Sequence, residues 1–313
     1  MKIGKKLAVP FVMATVVLLA GSNTHTLLGH NFSPDESASF LALVNTIKAE
    51  AQLVQPNIAS NNTSLASEHA NKALALMTDD VNKEIAERNQ RLSDDLNTDL
   101  ASLKTSTESS SGNNTASDTD FLVDDIDGIL DEIVTSRIDP DQLNNSTIQV
   151  LAAVELLDGV LRNYGDAFAV GYDMTNMSMM TMDSNTNTNS DDESSTSMHS
   201  MSTMDMGGGS VGDNMSMEDM SNSDGNLVNI TDYQTAQALV MKVQELFDNQ
   251  IVNSSLSEGS ETIDQSIDNV STALKELATK IDGKSSPMEI MTIVHTRIHP
   301  NLMTAFGLQL END

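Results

Sequence analysis

The chain has 313 residues, a formal net charge of −30 and no cysteine. So acidic a surface attracts cations and repels phosphate backbones, which argues against nucleic-acid binding. The absence of cysteine excludes a disulfide framework and a lipoprotein attachment site. Aromatic residues make up only 3% and tryptophan is absent, so a core must consist mainly of Leu, Ile, Val and Ala, which suits packed helices.

Residues 1–22 have the pattern of a secretory signal peptide. Lys2, Lys5 and Lys6 precede an apolar run from Leu7 to Ala20, and small residues follow where a peptidase could cut. The run of about 14 residues is shorter than the ~20 that a membrane-spanning helix needs, although an uncleaved anchor is the alternative. The sequence therefore predicts an exported, extracytoplasmic protein of the cell envelope or exterior, at most peripheral to the membrane.

Sequons for N-glycosylation are abundant, and they predict a glycoprotein if the host glycosylates exported chains. They begin at Asn31, Asn61, Asn62, Asn113, Asn144, Asn145, Asn176, Asn214, Asn229, Asn253 and Asn269.

Residues 30–171 predict the first part of a helical bundle, because apolar residues recur there at steps of three and four. Ser33-Pro34 followed by Glu36 has the form of a helix start. The predicted helices run from Pro34 to Pro56, from about Ser64 to Lys104 with a bend near Asp79–Asp80, from about Asp120 to Arg137, and from Ser146 to about Phe168.

Residues 229–309 predict the second part. A helix opens with Thr231–Gln234 as a capping box, another carries a regular stripe from Ile263 to Ile281 with Gly283 as its C-cap, and a third opens at Ser286 and is broken or kinked at Pro300. No strand pattern competes. The fold prediction is an all-α antiparallel bundle of about seven helical segments. It leaves open whether the two parts form two lobes or one composite bundle.

A methionine-rich window over residues 172–228 separates the two parts and is predicted to be a disordered loop. Between Asp173 and Asn226 it contains no aromatic residue and no Lys or Arg. Thioether sulfur is a soft, uncharged ligand that favours Cu(I) over harder ions, whereas a linker has little use for exposed apolar side chains. The window therefore predicts copper binding by Met174, Met177, Met179, Met180, Met182, Met198, His199, Met201, Met204, Met206, Met215, Met217 and Met220. It resembles the Met/His/Asp-rich stretches of bacterial periplasmic copper-resistance and copper-chaperone proteins, which implies copper as the ligand.

Histidine is scarce, so the pair His295 and His299 is informative. Their i, i+4 spacing puts both imidazoles on one helical face, a frequent arrangement for Zn, Cu or Fe. A surface or core-edge pair is the alternative reading. His69 is expected near Glu50 if the first two helices pair antiparallel. A combined site of Glu50, His69, His295 and His299 is a weaker alternative.

The segments from His30 to Phe40 and from His295 to Leu302 are similar to exported proteins of ammonia-oxidising archaea. That resemblance implies a copper-rich envelope and assigns no catalytic residue, and the chain contains no recognisable catalytic motif, so no enzyme activity is expected. The leading hypothesis is an exported protein that captures, buffers or delivers Cu(I). The alternatives are an envelope structural or interaction glycoprotein that uses the window as a spacer, and a helical metal or ligand receptor that uses histidines. Metal ions and envelope proteins are the expected partners.

Overall fold

The structure is a computed structural model that describes residues 33–108, 116–176, 226–251 and 261–308. The predicted signal peptide, His30 and residues 177–225 of the window lie outside the described residues. All regular secondary structure in the described ranges is helical and none is β-strand, which confirms the all-α antiparallel bundle. None of these helices is long and apolar enough to cross a membrane.

Within residues 33–108 and 116–176, the structure has six helices before the window: α1 Pro34–Ala59, α2 Thr63–Ala75, α3 Asp79–Glu108, α4 Ala116–Arg137, α5 Pro140–Leu143 and α6 Ser146–Ala167. The start of α1 is as predicted, because the Ser33 hydroxyl accepts from the Glu36 N–H while the Ser33 N–H donates to Glu36 at 2.7 Å. The expected stop at Pro56 is wrong. α1 continues to Ala59, since a proline in the last turn removes only one hydrogen bond.

The long second helix of the sequence prediction is two helices, α2 and α3. They are separated at residues 76–78, close to the expected bend. Thr78 marks the start of α3, because its hydroxyl accepts a hydrogen bond from the Val81 N–H at 3.3 Å. Asp79 and Asp80 then occupy the first turn of α3, where negative charge is favoured by the helix dipole.

After the window come α7 Ile230–Leu246, a π-helical turn Phe247–Ile251, α8 Glu261–Asp282, α9 Pro287–Ile293, a π-helical turn Val294–Ile298 and α10 His299–Phe306. The predicted capping box at Thr231 is wrong. Asn229 is the N-cap of α7, and its side chain accepts from the Asp232 N–H at 3.2 Å.

Two further details of this second part differ from the sequence prediction. After α8 the left-handed residue is Lys284, with φ +54°, and not Gly283. Pro300 does not interrupt the last helix. It lies in the first turn of α10, and the chain widens into the π turn Val294–Ile298 just before it, which is how a helix can absorb a residue that cannot donate.

The bundle has two apolar clusters that share helices. One is built mainly from α1, α2, α3 and α4, and the other mainly from α6 to α10. α1 contributes to both, because its small residues Ala42 and Ala49 face the second cluster while its larger ones fill the first. The start of α6 reaches the first cluster through Ile148 and Ala152. The helices before and after the window therefore pack directly on each other.

Both ends of the window lie at the end of α6. The described chain continues from that helix to Asn176 and resumes at Asn226. The backbone N–H groups of Val228 and Asn229 both donate to the carbonyl oxygen of Ala167, at 2.9 and 3.2 Å. The helical body thus presents the window at one location.

Candidate functional site

Three of the residues predicted to bind metal lie in the described part of the chain: Met174, His295 and His299. The other predicted methionines and His199 fall within residues 177–225, outside the described residues. The three described residues come from distant parts of the sequence, and the fold brings them together at the end of α6 and the last helical run.

His295 lies in the π turn before α10 and is only 2% exposed. Its Nε2 is 2.9 Å from the backbone oxygen of Met174. A carbonyl oxygen can only accept, so Nε2 carries the ring proton and donates it. Nδ1 of a neutral ring then holds a lone pair, and this atom is buried with no hydrogen-bond partner among the described residues.

Met174 is the first methionine of the window, and it is buried, with 2% exposure. Its side chain packs on Gly165 so closely that a Cβ at that glycine would lie 3.1 Å from the Met174 sulfur. The two contacts of Met174, sulfur on α6 and carbonyl on His295, fix the start of the window to the helical body.

His299 stands beside His295, with ring centroids 5.3 Å apart and an interplanar angle of 74°. Its Nε2 is also buried and has no hydrogen-bond partner in the described part of the chain. Burial, reinforced by His295, lowers the pKa of His299 from its ordinary 6.5 to about 4. At neutral pH His299 is therefore an uncharged imidazole.

Charged groups surround the pair at longer range. Burial raises the pKa of Asp158, and both Arg162 and His295 act against that rise. Asp173 has a lowered pKa because the Thr175 N–H and hydroxyl donate to it at 2.9 and 2.8 Å. Within the described ranges, no group of three or more His, Cys, Asp or Glu side chains is placed to hold a metal ion. Any ion at His295 and His299 is therefore held mainly by imidazole.

A second buried polar cluster joins α1, α2 and α7, and His69 is at its centre. His69 is fully buried and Glu50 is 2% exposed. The His69 Nδ1 lies 2.7 Å from one Glu50 oxygen, and its Nε2 lies 2.9 Å from the Gln234 side-chain oxygen. The other Glu50 oxygen is 2.8 Å from the Thr235 hydroxyl and 3.6 Å from Lys72 Nζ. The expected proximity of His69 to Glu50 is thus present, and the contribution of α7 was not foreseen.

Both ring nitrogens of His69 are engaged in hydrogen bonds. The Asn57 amide nitrogen donates to the Leu53 carbonyl at 2.8 Å and to the Gln234 oxygen at 3.1 Å. Because the Leu53 carbonyl can only accept, it fixes the orientation of the Asn57 amide, and Asn57 in turn fixes the Gln234 amide with its oxygen toward His69. Both nitrogens of His69 therefore have a protein partner, and neither is left for a metal.

His69 and His295 have no hydrogen-bond partner in common in the described chain. The weaker alternative that grouped Glu50 and His69 with His295 and His299 therefore has no support in these contacts. His69 of α2 is hydrogen-bonded to residues of α1 and α7. His295 and His299 each have one ring nitrogen with no hydrogen-bond partner among the described residues.

Comparisons with known protein families, with curated proteins and with solved structures found no match to this chain.

Proposed function

We propose that the protein is an exported, acidic helical bundle that captures Cu(I) through its methionine-rich window and buffers or delivers it. The observation that carries the proposal is the buried position of Met174, hydrogen-bonded to His295. This hydrogen bond holds the backbone at the start of the window against the histidine pair of the body.

The chemistry of the window fits a soft monovalent ion. Methionine thioethers bind without losing a proton, and they favour Cu(I) over hard divalent cations. The formal charge of −30 raises the local concentration of cations around the chain. Capture by many similar ligands allows an ion to exchange between sites, which suits buffering or transfer to a partner of the cell envelope. The proposal involves no catalysis.

The test is an anaerobic competition titration with Cu(I) on two forms of the full chain. In the variant, the eleven methionines from Met177 to Met220 are replaced by leucine, a swap that keeps volume and apolar character but removes sulfur. Met174 is left in place because it is packed in the body. We expect the unmodified chain to bind several Cu(I) ions and the leucine variant to lose most of that capacity.

A matched control separates ligation from apolar contact. In the control variant, leucine replaces the four methionines that follow the window in the sequence: Met241, Met288, Met291 and Met303. This variant should bind as much Cu(I) as the unmodified chain. If the window variant binds as much Cu(I) as the unmodified chain, the thioethers do not capture copper. The window would then be a spacer of an envelope glycoprotein, and deletion of residues 177–225 would alter no metal affinity.

A further inference from the structure

We propose that His295 and His299 form a distinct metal site in the helical body, which binds one Cu(I) through Nδ1 of His295 and Nε2 of His299. This site deepens the proposed function and rests on it for the choice of Cu(I). It differs from the window because its two ligands are held by the fold. Whereas the window offers many equivalent thioethers, the body offers a single pair of nitrogens.

The two ring atoms are the chief evidence. Nδ1 of His295 and Nε2 of His299 are both buried and have no hydrogen-bond partner among the described residues. A buried polar atom without a partner is costly, and natural proteins seldom retain one without a use. Here two such atoms occur on adjacent rings, and both belong to the residue type that most often binds metals.

The hydrogen bond from His295 to Met174 fixes which ring nitrogen of His295 can act as a ligand. A metal-binding histidine usually donates its other ring N–H to a carboxylate or backbone carbonyl, which fixes the tautomer and the ring orientation. His295 makes that contact through Nε2 at 2.9 Å, and Nδ1 is left as the ligand atom. His299 contributes the second ligand atom, because its buried Nε2 has no hydrogen-bond partner among the described residues.

The separation of the rings agrees with a shared ion. For metal–nitrogen bonds of about 2.0–2.1 Å, two imidazoles on one ion have centroids from roughly 5 Å apart at a tetrahedral angle to about 6.5 Å apart in a linear arrangement. The observed separation of 5.3 Å lies within that range, so binding requires no large movement of the helix. The i, i+4 spacing of the two residues is also the spacing with which two histidines of one helix bind zinc in metalloproteases.

The ligand set favours Cu(I) over zinc. Structural zinc takes four protein ligands and catalytic zinc three, and no carboxylate or further histidine in the described ranges completes such a set. Cu(I) can be coordinated by two nitrogen donors, alone or together with a thioether. Cu(I) also brings a single positive charge into the buried site, whereas a divalent ion would bring two.

The decisive experiment uses the full chain labelled with ¹⁵N-histidine and one equivalent of Cu(I) added under anaerobic conditions. In the metal-free protein we expect the His295 ring to show a protonated Nε2 and an unprotonated Nδ1. On addition of Cu(I), the Nδ1 resonance should shift as expected for coordination while Nε2 keeps its proton. The ring of His69 should not change, because both its nitrogens are hydrogen-bonded to protein oxygens.

Two variants test the same site by affinity. His295→Gln retains a side-chain donor for the Met174 carbonyl but removes Nδ1, and His299→Gln removes Nε2. Loss of an outer-shell partner weakens metal binding roughly 10–100-fold. Each variant loses a ligand atom, so the affinity for the first Cu(I) should fall by at least that factor. His69→Gln is the matched control and should leave that affinity unchanged. Far-UV circular dichroism checks that each variant is folded, and the ring spectra of the unmodified chain remain decisive if one is not.

The outcomes separate this site from the function of the window. If copper binds to the window but the His295 ring nitrogens do not respond, the body site is overturned and the proposed function stands. If the leucine variant binds as much Cu(I) as the unmodified chain and one ion is still detected at His295, the body site stands and capture by the window fails. If Zn(II) binds at the pair and Cu(I) does not, the assignment of the metal is overturned.

Discussion

The buried pair of His69 and Glu50 makes a sharp prediction about what holds the two parts of the bundle together. The pair connects α1 and α2, and Gln234 and Thr235 extend it to α7 on the other side of the window. The perturbations are His69→Leu, Glu50→Met and the double replacement, each with an apolar side chain of similar size. The quantity to compare is the free energy of unfolding.

The structure sets the expected magnitudes. His69→Leu leaves a buried carboxylate, and loss of one partner from a buried ion pair typically costs ~3–5 kcal/mol. The cost should lie near the lower end, since Glu50 keeps the Thr235 hydroxyl at 2.8 Å and Lys72 at 3.6 Å. Glu50→Met should cost less, about 1–3 kcal/mol, because it leaves one ring nitrogen of His69 without a partner rather than a buried carboxylate, and the contact with Gln234 remains.

The double variant should be more stable than His69→Leu alone. No buried charge of the pair remains, and the other members keep partners of their own. Gln234 stays bonded to Asn57 at 3.1 and 3.3 Å, and the Thr235 hydroxyl keeps the Thr231 carbonyl at 3.0 Å. The coupling between the two substitutions should therefore reach about 2 kcal/mol, a large part of a total stability of roughly 5–15 kcal/mol.

Urea unfolding followed by circular dichroism measures all four free energies. As a control, Arg91→Ala removes exposed ion pairs to Asp95 and Glu132 and should leave the midpoint nearly unchanged. If the loss in the double variant equals the sum of the single losses within about 0.5 kcal/mol, the two residues do not act as a pair.

Two other predictions concern the site at the end of α6. The pKa of His299 is about 4 in the folded chain and near 6.5 when unfolded. Between these two values the unfolded chain protonates His299 and the folded chain does not. The free energy of unfolding of the metal-free protein should therefore fall by up to ~3 kcal/mol as pH drops from 6.5 to 4. Urea titrations of His299→Gln should lack this pH-dependent loss. Gly128→Ala, with nothing within 4 Å of the new methyl group, should stabilise by roughly 0.5–1 kcal/mol. Gly165→Ala should raise the free energy of unfolding less than Gly128→Ala, or lower it, because the Met174 side chain must move. An equal increase in both variants would contradict the packing of Met174 on Gly165.

The helices were predictable because their signals are local. Stripes of apolar residues at steps of three and four identify α6 and α8 without any tertiary information, and Ser33 with Glu36 marks the start of α1. The errors also have local causes. Thr78 and Asn229 each cap a helix by a single side-chain hydrogen bond, and other residues nearby fit the same pattern equally well. Lys284 takes the left-handed conformation although a glycine precedes it.

The contacts of the candidate site were not predictable from the sequence. His295 and Met174 are 121 residues apart, and their hydrogen bond uses a backbone oxygen, which leaves no trace in residue type. The same holds for Gln234, which lies 165 residues from His69 and was assigned to a helix cap. Spacing could show that His295 and His299 share a face. It could not show that the face is buried or which ring nitrogens are bonded.

The contrast between His69 and His295 explains why histidine content alone is a poor guide to metal sites. Both rings are buried, and both are close to other polar groups. Both nitrogens of His69 are hydrogen-bonded to residues of other helices, so the ring is already occupied within the fold. His295 donates from one nitrogen to a carbonyl and keeps the other as a buried lone pair. Whether a buried histidine keeps a ring nitrogen without a partner therefore depends on its surroundings, and for His295 the other nitrogen is bonded to the backbone of the first methionine of the window.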